Sequence, residues 1–263
     1  MRHYHDLPLW VRLPLYAFVA LALAMMVLPL AAALPISLNV DPWFVYPFRE
    51  FSLRWFEALL SPRWTGAIVN SVLIAVATTL LATGLGTLAA IGLANPRFPF
   101  RNLVMVLGLA PLIVPVVVLA LGLYIFFGQL SLNYTFIGVV IAHTLLASPF
   151  VVITVTATLT RFDFTLMRAA ASLGAGRVFA FRTVMLPVIA PGVGAGAILA
   201  FAASFDEVVM MLFISGPQQQ TVPKLMYLGM RENINPTIIA AAVVTIAFTS
   251  VLMAATYRLN RGK

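Results

Sequence analysis

Apolar residues in this chain run in long unbroken stretches. They neither alternate nor recur on one side of a helix. Six stretches, 13–34, 66–94, 103–128, 133–160, 184–205 and 236–257, contain no Asp, Glu, Lys or Arg. Each reaches the ~20 residues that a helix needs to cross a hydrocarbon core. A closed barrel would show alternating segments of about 10 residues, and none occur. Among single segments in lipid, only a helix satisfies all of its own backbone N–H and C=O groups. The pattern predicts an all-α membrane protein, a polytopic bundle of six transmembrane helices forming one domain over 1–263. The first stretch follows Arg2 and Arg12 and precedes Ala31-Ala32-Ala33, as a secretory signal would. It is long for such a signal and more membrane follows, so an uncleaved first helix is expected.

Composition agrees. Apolar residues make up 62% of the chain and charged residues 9%, against about 25% charged in soluble domains. The absence of cysteine excludes disulfides and thiolate metal sites. The net charge of +8 does not point to nucleic acid, because the arginines are scattered singly between apolar stretches. Their distribution orients the chain instead. Eleven Lys and Arg fall in the two tails and in the second and fourth connections, against five in the other connections. The positive-inside rule then places both termini in the cytoplasm.

Two regions depart from a plain bundle. Residues 35–65 carry Trp43, Tyr46, Trp55 and Trp64, readable as an interfacial aromatic belt or as a partner surface. Residues 206–235 open on Asp206-Glu207, continue through an apolar 208–214 and turn at Gly216-Pro217. That apolar piece is too short to span and predicts a re-entrant or interfacial segment.

The connection 161–187 reads RFDFTLMRAAASLGAGRVFAFRTVMLP. Asp163 or Thr165 can cap a short helix. Leu166, Ala169, Ala170 and Leu173 recur at helical spacing on one expected face. Gly174 and Gly176 end that helix, and Pro187 suits the start of the next. The result is a short amphipathic helix held between two spans, able to seat in a groove of a soluble partner.

This connection resembles the signature of binding-protein-dependent ABC importer permeases: Glu-Ala-Ala, three residues, Gly, nine residues, Ile, one residue, Leu-Pro. Ala169, Ala170, Gly174, Leu186 and Pro187 stand at the matching spacing, with Val184 at the Ile position and Arg168 in place of the Glu. The resemblance implies that 163–181 is the coupling helix, with Leu166, Arg168, Ala169, Ala170, Leu173, Gly174, Arg177, Leu186 and Pro187 as its ATPase-coupling residues. It extends from about Asn70 to Arg258, and takes in Asn70-Ser71, His143 with Ser148-Pro149-Phe150, and the run from Leu199 through Asp206-Glu207-Val208-Val209 to Ser215-Gly216-Pro217. That run is similar to the second permease of spermidine/putrescine-type importers. The resemblance implies a bacterial inner-membrane location. It implies a second related permease, two copies of a cytoplasmic ATPase and a periplasmic solute-binding protein as partners. ATP and Mg would lie on the ATPase, so no cofactor is expected on this chain. An amino-acid-like or opine-like cargo is the alternative to a polyamine.

Four residues are candidates for the solute path. Asp206 and Glu207 interrupt an apolar stretch, and ionisable groups at membrane depth are costly and functional by default. They equally suit a helix end at the outer interface. His143 would need an ionisable partner to relay protons; otherwise it is a packed, hydrogen-bonded histidine. Asn70 suits an interhelical hydrogen bond or a solute contact. Pro111, Pro115 and Pro149 suit kinks. No HExxH, P-loop or Gly-x-Ser-x-Gly occurs. Ser148 and His143 are about 140° apart around a helix, which argues against a Ser/His hydrolase. The chain is therefore expected not to be an enzyme. A stand-alone secondary transporter would need internal repeats, and none is evident.

Overall fold

The computed structural model describes residues 8–41, 50–95, 98–232 and 235–261, with backbone alone from 253 onward. Trp43 and Tyr46 lie outside the described residues. The helices are α1 (Leu9–Ser37), α2 (Arg54–Ala58), α3 (Pro62–Ala94), α4 (Arg101–Ile113), α5 (Val116–Gln129), α6 (Phe136–Leu159), α7 (Thr165–Ser172), α8 (Arg177–Ala180), α9 (Leu186–Phe205), α10 (Val209–Ile214), α11 (Val222–Glu232) and α12 (Pro236–Arg261). Among the described residues the only extended pairing is an isolated bridge between Asn39 and Phe51.

Four helical segments are long and apolar enough to cross a membrane: α1, α3, α6 and Arg177–Phe205. The stretch 103–128 is broken at Pro115, one of the three prolines that suited kinks. It is two helices, α4 and α5, bent by 106°. Pro115 is the cause. It has no N–H to give the ladder, and it drives Val114 to φ −72°, ψ 132°, outside helical space. With the bent pair counted as one crossing, the described helices provide five. The expected sixth stretch lies within α12, whose described apolar portion is Pro236–Leu252. The fifth span also begins earlier than expected, at Arg177. Its continuity is kept by a π-helical turn over Phe181–Met185. Pro187 cannot donate to the Thr183 carbonyl, and widening the helix by a residue absorbs the mismatch.

The chain forms two compact units, Pro62–Leu228 with Thr249–Lys263, and Met1–Ser61 with Gly229–Phe248. In the first, α3, α6 and α9 pack on one another. Each presents a buried row at four-residue spacing. On α3 the row is Ile74, Thr78, Ala82, Gly86 and Ala90. On α6 it is Val139, His143, Ala147, Val151 and Val155. On α9 it is Gly192, Gly196, Ala200 and Ser204. Small residues at this spacing let helix backbones approach closely in lipid. A Cβ on Gly86 would lie 2.7 Å from Val151 Cβ, and one on Gly196 would lie 2.9 Å from Val151 Cα. Val151 thus fills the gap between both neighbouring helices, and overpacking of this kind costs ~1–3 kcal/mol.

In the other unit, α1 buries no side chain before Ser37, and Leu13, Phe18, Leu21 and Leu28 are exposed. Lipid is the solvent that such a surface fits. Beyond α1, Asn39 is buried, and its carbonyl accepts the Trp55 indole N–H at 2.8 Å. The Arg54 guanidinium lies 4.0 Å from the Trp55 ring centroid. Met25 and Met26 are exposed, whereas Met210 and Met211, in the first unit, are fully buried.

Candidate functional site

The connection between α6 and α9 is built from its ends. Phe162 is buried and meets Phe164 edge to face at 5.2 Å, which fixes the point of exit from α6. Asp163 then starts α7. The Thr165 hydroxyl donates to one Asp163 carboxylate oxygen at 2.6 Å and the Thr165 N–H to the other at 2.8 Å. These two hydrogen bonds, the hydroxyl first, with a smaller Coulomb contribution from Arg168, hold the Asp163 carboxyl below its ordinary value.

Gly174 ends α7. Its N–H donates to Ala171 O and the Ala175 N–H to Ala170 O, both at 3.0 Å, a Schellman closure. Gly174 sits at φ +84°, and a Cβ there would meet nothing within 4 Å. Glycine is needed for the backbone angle, not for space.

The exposed face is not quite the one expected from spacing. Leu166, Ala169 and Leu173 point outward, with Leu173 89% exposed. Ala170 is half-buried, and Met167 packs against the core beneath. Val178 and Phe179 continue the exposed apolar surface. Ala170, Leu173, Gly174, Phe179 and Val184 line an open cleft of about 530 Å³. Arg168 and Arg177 are exposed at its borders in the chain. Leu186 is half-buried against the core, and Pro187 is exposed beside the π turn.

The four path candidates do different local work. The Asn70 amide donates to the carbonyls of Gln218 and Gln220 at 2.9 and 3.0 Å. The neighbouring Ser71 hydroxyl accepts from the Val222 N–H at 2.9 Å. Together they pin the loop after α10 to α3. Asp206 is the exposed C-terminal cap residue of α9, its N–H donating to Ala202 O at 3.1 Å. Glu207, one residue on, accepts the Met210 N–H at 2.9 Å and so caps α10. The acidic pair is thus divided between two helix ends. His143 is 1% exposed, and its Nδ1 meets the Ser204 hydroxyl at 2.9 Å. Its Nε2 has no partner among the described residues. No ionisable group joins it, and no group of three or more His, Cys, Asp or Glu that could hold a metal occurs among the described residues.

Sequence reasoning missed Lys224, which it counted only as a loop charge. Lys224 is 8% exposed, and its ammonium donates to Ser215 O at 2.9 Å and to Ser215 Oγ at 2.7 Å. The available signal was a lone lysine inside the apolar run Val222-Pro223-Lys224-Leu225-Met226.

Residues 82–263 match the family described as "Binding-protein-dependent transport system inner membrane component". The chain belongs to this family. Among curated relatives, it is 29% identical over 217 residues to the spermidine/putrescine transport system permease protein PotC of Escherichia coli strain K12, covering 82% of each chain. It is 31% identical over 238 residues to the molybdenum transport system permease protein ModB of Mycobacterium bovis, covering 85% of this chain and 84% of that one. A solved bacterial alginate ABC transporter, in complex with an alginate pentasaccharide-bound periplasmic protein, superposes with TM-score 0.69 at 15% identity. That match covers 95% of this chain and 92% of the other, and it shows the fold. The chain is therefore an all-α membrane permease of the ABC importer type.

Proposed function

We propose that this chain forms half of the translocation path for a small solute, a polyamine or related cationic amine, in a bacterial inner membrane. A second, related permease would complete the path. Two cytoplasmic ATPase subunits would dock beneath, one of them on 163–181 of this chain, with ATP and Mg held by them. A periplasmic solute-binding protein would deliver the solute from outside. Both termini would lie in the cytoplasm, following the distribution of Lys and Arg. The chain would do no covalent chemistry of its own.

The observation that carries this reading is the bare apolar face of Leu166, Ala169, Leu173, Val178 and Phe179. It stands on a short helix with a glycine-dependent end, between two spanning helices. Such a face needs a soluble partner, and a rigid connection to α6 and α9 would transmit the partner's movement. The likeness to PotC supports an amine cargo, and the likeness to ModB, a molybdenum transport permease, marks a rival cargo. Asp206 is an exposed carboxylate at the end of α9 remote from this face, where it would attract a cation.

The test is uptake by the assembled transporter carrying Asp206→Asn together with Glu207→Gln. An amine cargo passing here predicts that uptake falls several-fold while assembly and basal ATP hydrolysis persist. Unchanged uptake of a demonstrated polyamine would remove the pair from the path. Transport of an oxyanion or an amino-acid-like solute would replace the cargo.

A further inference from the structure

Lys224 is a buried cation without a counter-anion among the described residues. Two of its three N–H donors go to Ser215, one to the carbonyl and one to the hydroxyl. The Ser215 hydroxyl spends its own proton on Met211 O at 2.6 Å, so Ser215 offers Lys224 neutral acceptors only. The third donor has no acceptor among the described residues. Lys224 also stands in the first turn of α11, where the helix dipole adds positive potential rather than relieving it. A buried charge left this way is costly unless a partner arrives.

The surroundings leave room for one. Lys224 lines an open cleft of about 330 Å³ with Tyr134, Ser215, Pro217, Gln220 and Leu228. The cleft is held in shape. Tyr134 adopts φ +63°, and its N–H donates to Ile214 O at 2.8 Å. Its hydroxyl lies 3.2 Å from that of Tyr124. The Gly216 N–H donates to the buried Gln219 Oε1 at 3.0 Å. Asn70 and Ser71 fix the loop from behind. The cleft therefore combines preset walls, a net positive field and one unused ammonium donor.

We propose that this cleft is a carboxylate receptor, and that it takes an Asp or Glu side chain of the periplasmic solute-binding protein. It rests on the proposed importer and its amine cargo only for which molecule carries the carboxylate. An amine cargo would be repelled by Lys224, so the carboxylate belongs to the partner and not to the cargo. On the expected orientation the cleft opens outward, toward that partner. The cleft has room for an acidic side chain, with the Tyr134 ring, Pro217 and Leu228 available to cover its methylenes.

The chain has two lysines, Lys224 and Lys263, so Lys263→Arg leaves Lys224 as the single lysine signal in a selectively labelled sample. Propionate, which imitates an acidic side chain, is titrated into the assembled transporter in lipid nanodiscs against chloride at equal ionic strength. The expected result is a saturable shift of the Lys224 signal with propionate and none with chloride. Equal, unsaturated shifts with both salts would overturn the receptor. Adding the solute-binding protein should then reverse the propionate shift. If free cargo reverses it and the binding protein does not, the partner assignment falls. Lys224→Gln keeps hydrogen bonding to Ser215 but removes the charge, and should weaken docking of the binding protein about tenfold. Lys224→Arg should retain it. Failure of ATP-driven uptake would sink the importer reading and leave the propionate result standing.

Discussion

Two segments break the regularity of the α3–α6–α9 packing, and they do so in opposite ways. Residues 161–185 and 206–222 are both short helices joined by glycine-containing turns. The first buries Phe162, Ala180 and Met185 near its ends but leaves its middle bare: α7 buries none of its residues. The second turns them in. Met210, Met211 and Ile214 of α10 are buried against α5 and α6, and Gln219 is buried in the turn that follows. Hydrogen bonds donated by Asn70 and Lys224 and accepted by Ser71 and Glu207 tie the second segment down. Within 161–185, the α7 stretch is tied mostly to itself. The lesson is that one segment is completed by its own chain, whereas the other leaves apolar side chains bare, as the proposed docking requires. Substitutions should therefore damage assembly in the first and stability in the second.

The largest contrast comes from Gly174→Asp. The left-handed backbone there disfavours any side chain by roughly 1 kcal/mol, and the exposed position limits the damage to the local turn. Insertion and thermal stability should be nearly unchanged, while ATPase association and transport fall by more than tenfold. Normal transport by this variant would show that the bare face is not an interface.

Asn70→Ala should do the reverse. It leaves two carbonyls of the pinned loop without their donor, which costs ~1–3 kcal/mol. The melting temperature of the detergent-solubilised protein should drop, with ATPase association intact. Loss of that association would erase the contrast between the two segments.

The smallest effect should come from Asp163→Asn. The folded carboxyl titrates below its unfolded value. Its contribution is then fully present above the unfolded value, near pH 4, and disappears as pH falls through the lower folded one. Asp163 is exposed, so at neutral pH the variant should only loosen the start of α7. Amide hydrogen exchange at Thr165 should quicken several-fold with no change in transport. An unchanged exchange rate would mean that Thr165 itself, and not Asp163, sets the helix start.

Most of the architecture was legible because lipid imposes a length and a composition on each crossing. The stretches 66–94 and 133–160 correspond closely to α3 and α6 for that reason. The bend between α4 and α5 was legible only in part: Pro115 was a kink candidate, but so were Pro111 and Pro149, which stay inside helices, and hydropathy does not register the backbone angles that tell them apart. The connection 161–187 was readable from the spacing of its glycines and its proline. Which alanine faces inward was not, since Ala169 and Ala170 differ only in what packs beneath them. Asp206-Glu207 looked like a pair because charge is visible in sequence. Its division between two helix ends depends on where one helix stops. Lys224 was missed altogether, because its burial arises from a hairpin whose two sides meet only in the fold.

The continuity of Arg177–Phe205 has a mechanical consequence. At 1.5 Å per residue, its 29 residues make a rod about 43 Å long. A rod of that length tilting by about 5° around its middle carries each end about 2 Å in opposite directions. One end, at Arg177, lies within the bare face between Leu173 and Val178, and the other adjoins Asp206, shortly before the pinned loop. A small push at the Arg177 end would thus arrive at the Phe205 end as a displacement of about 2 Å. The wider π turn at Phe181–Met185, close to the pushed end, is where such a lever would first lose stiffness.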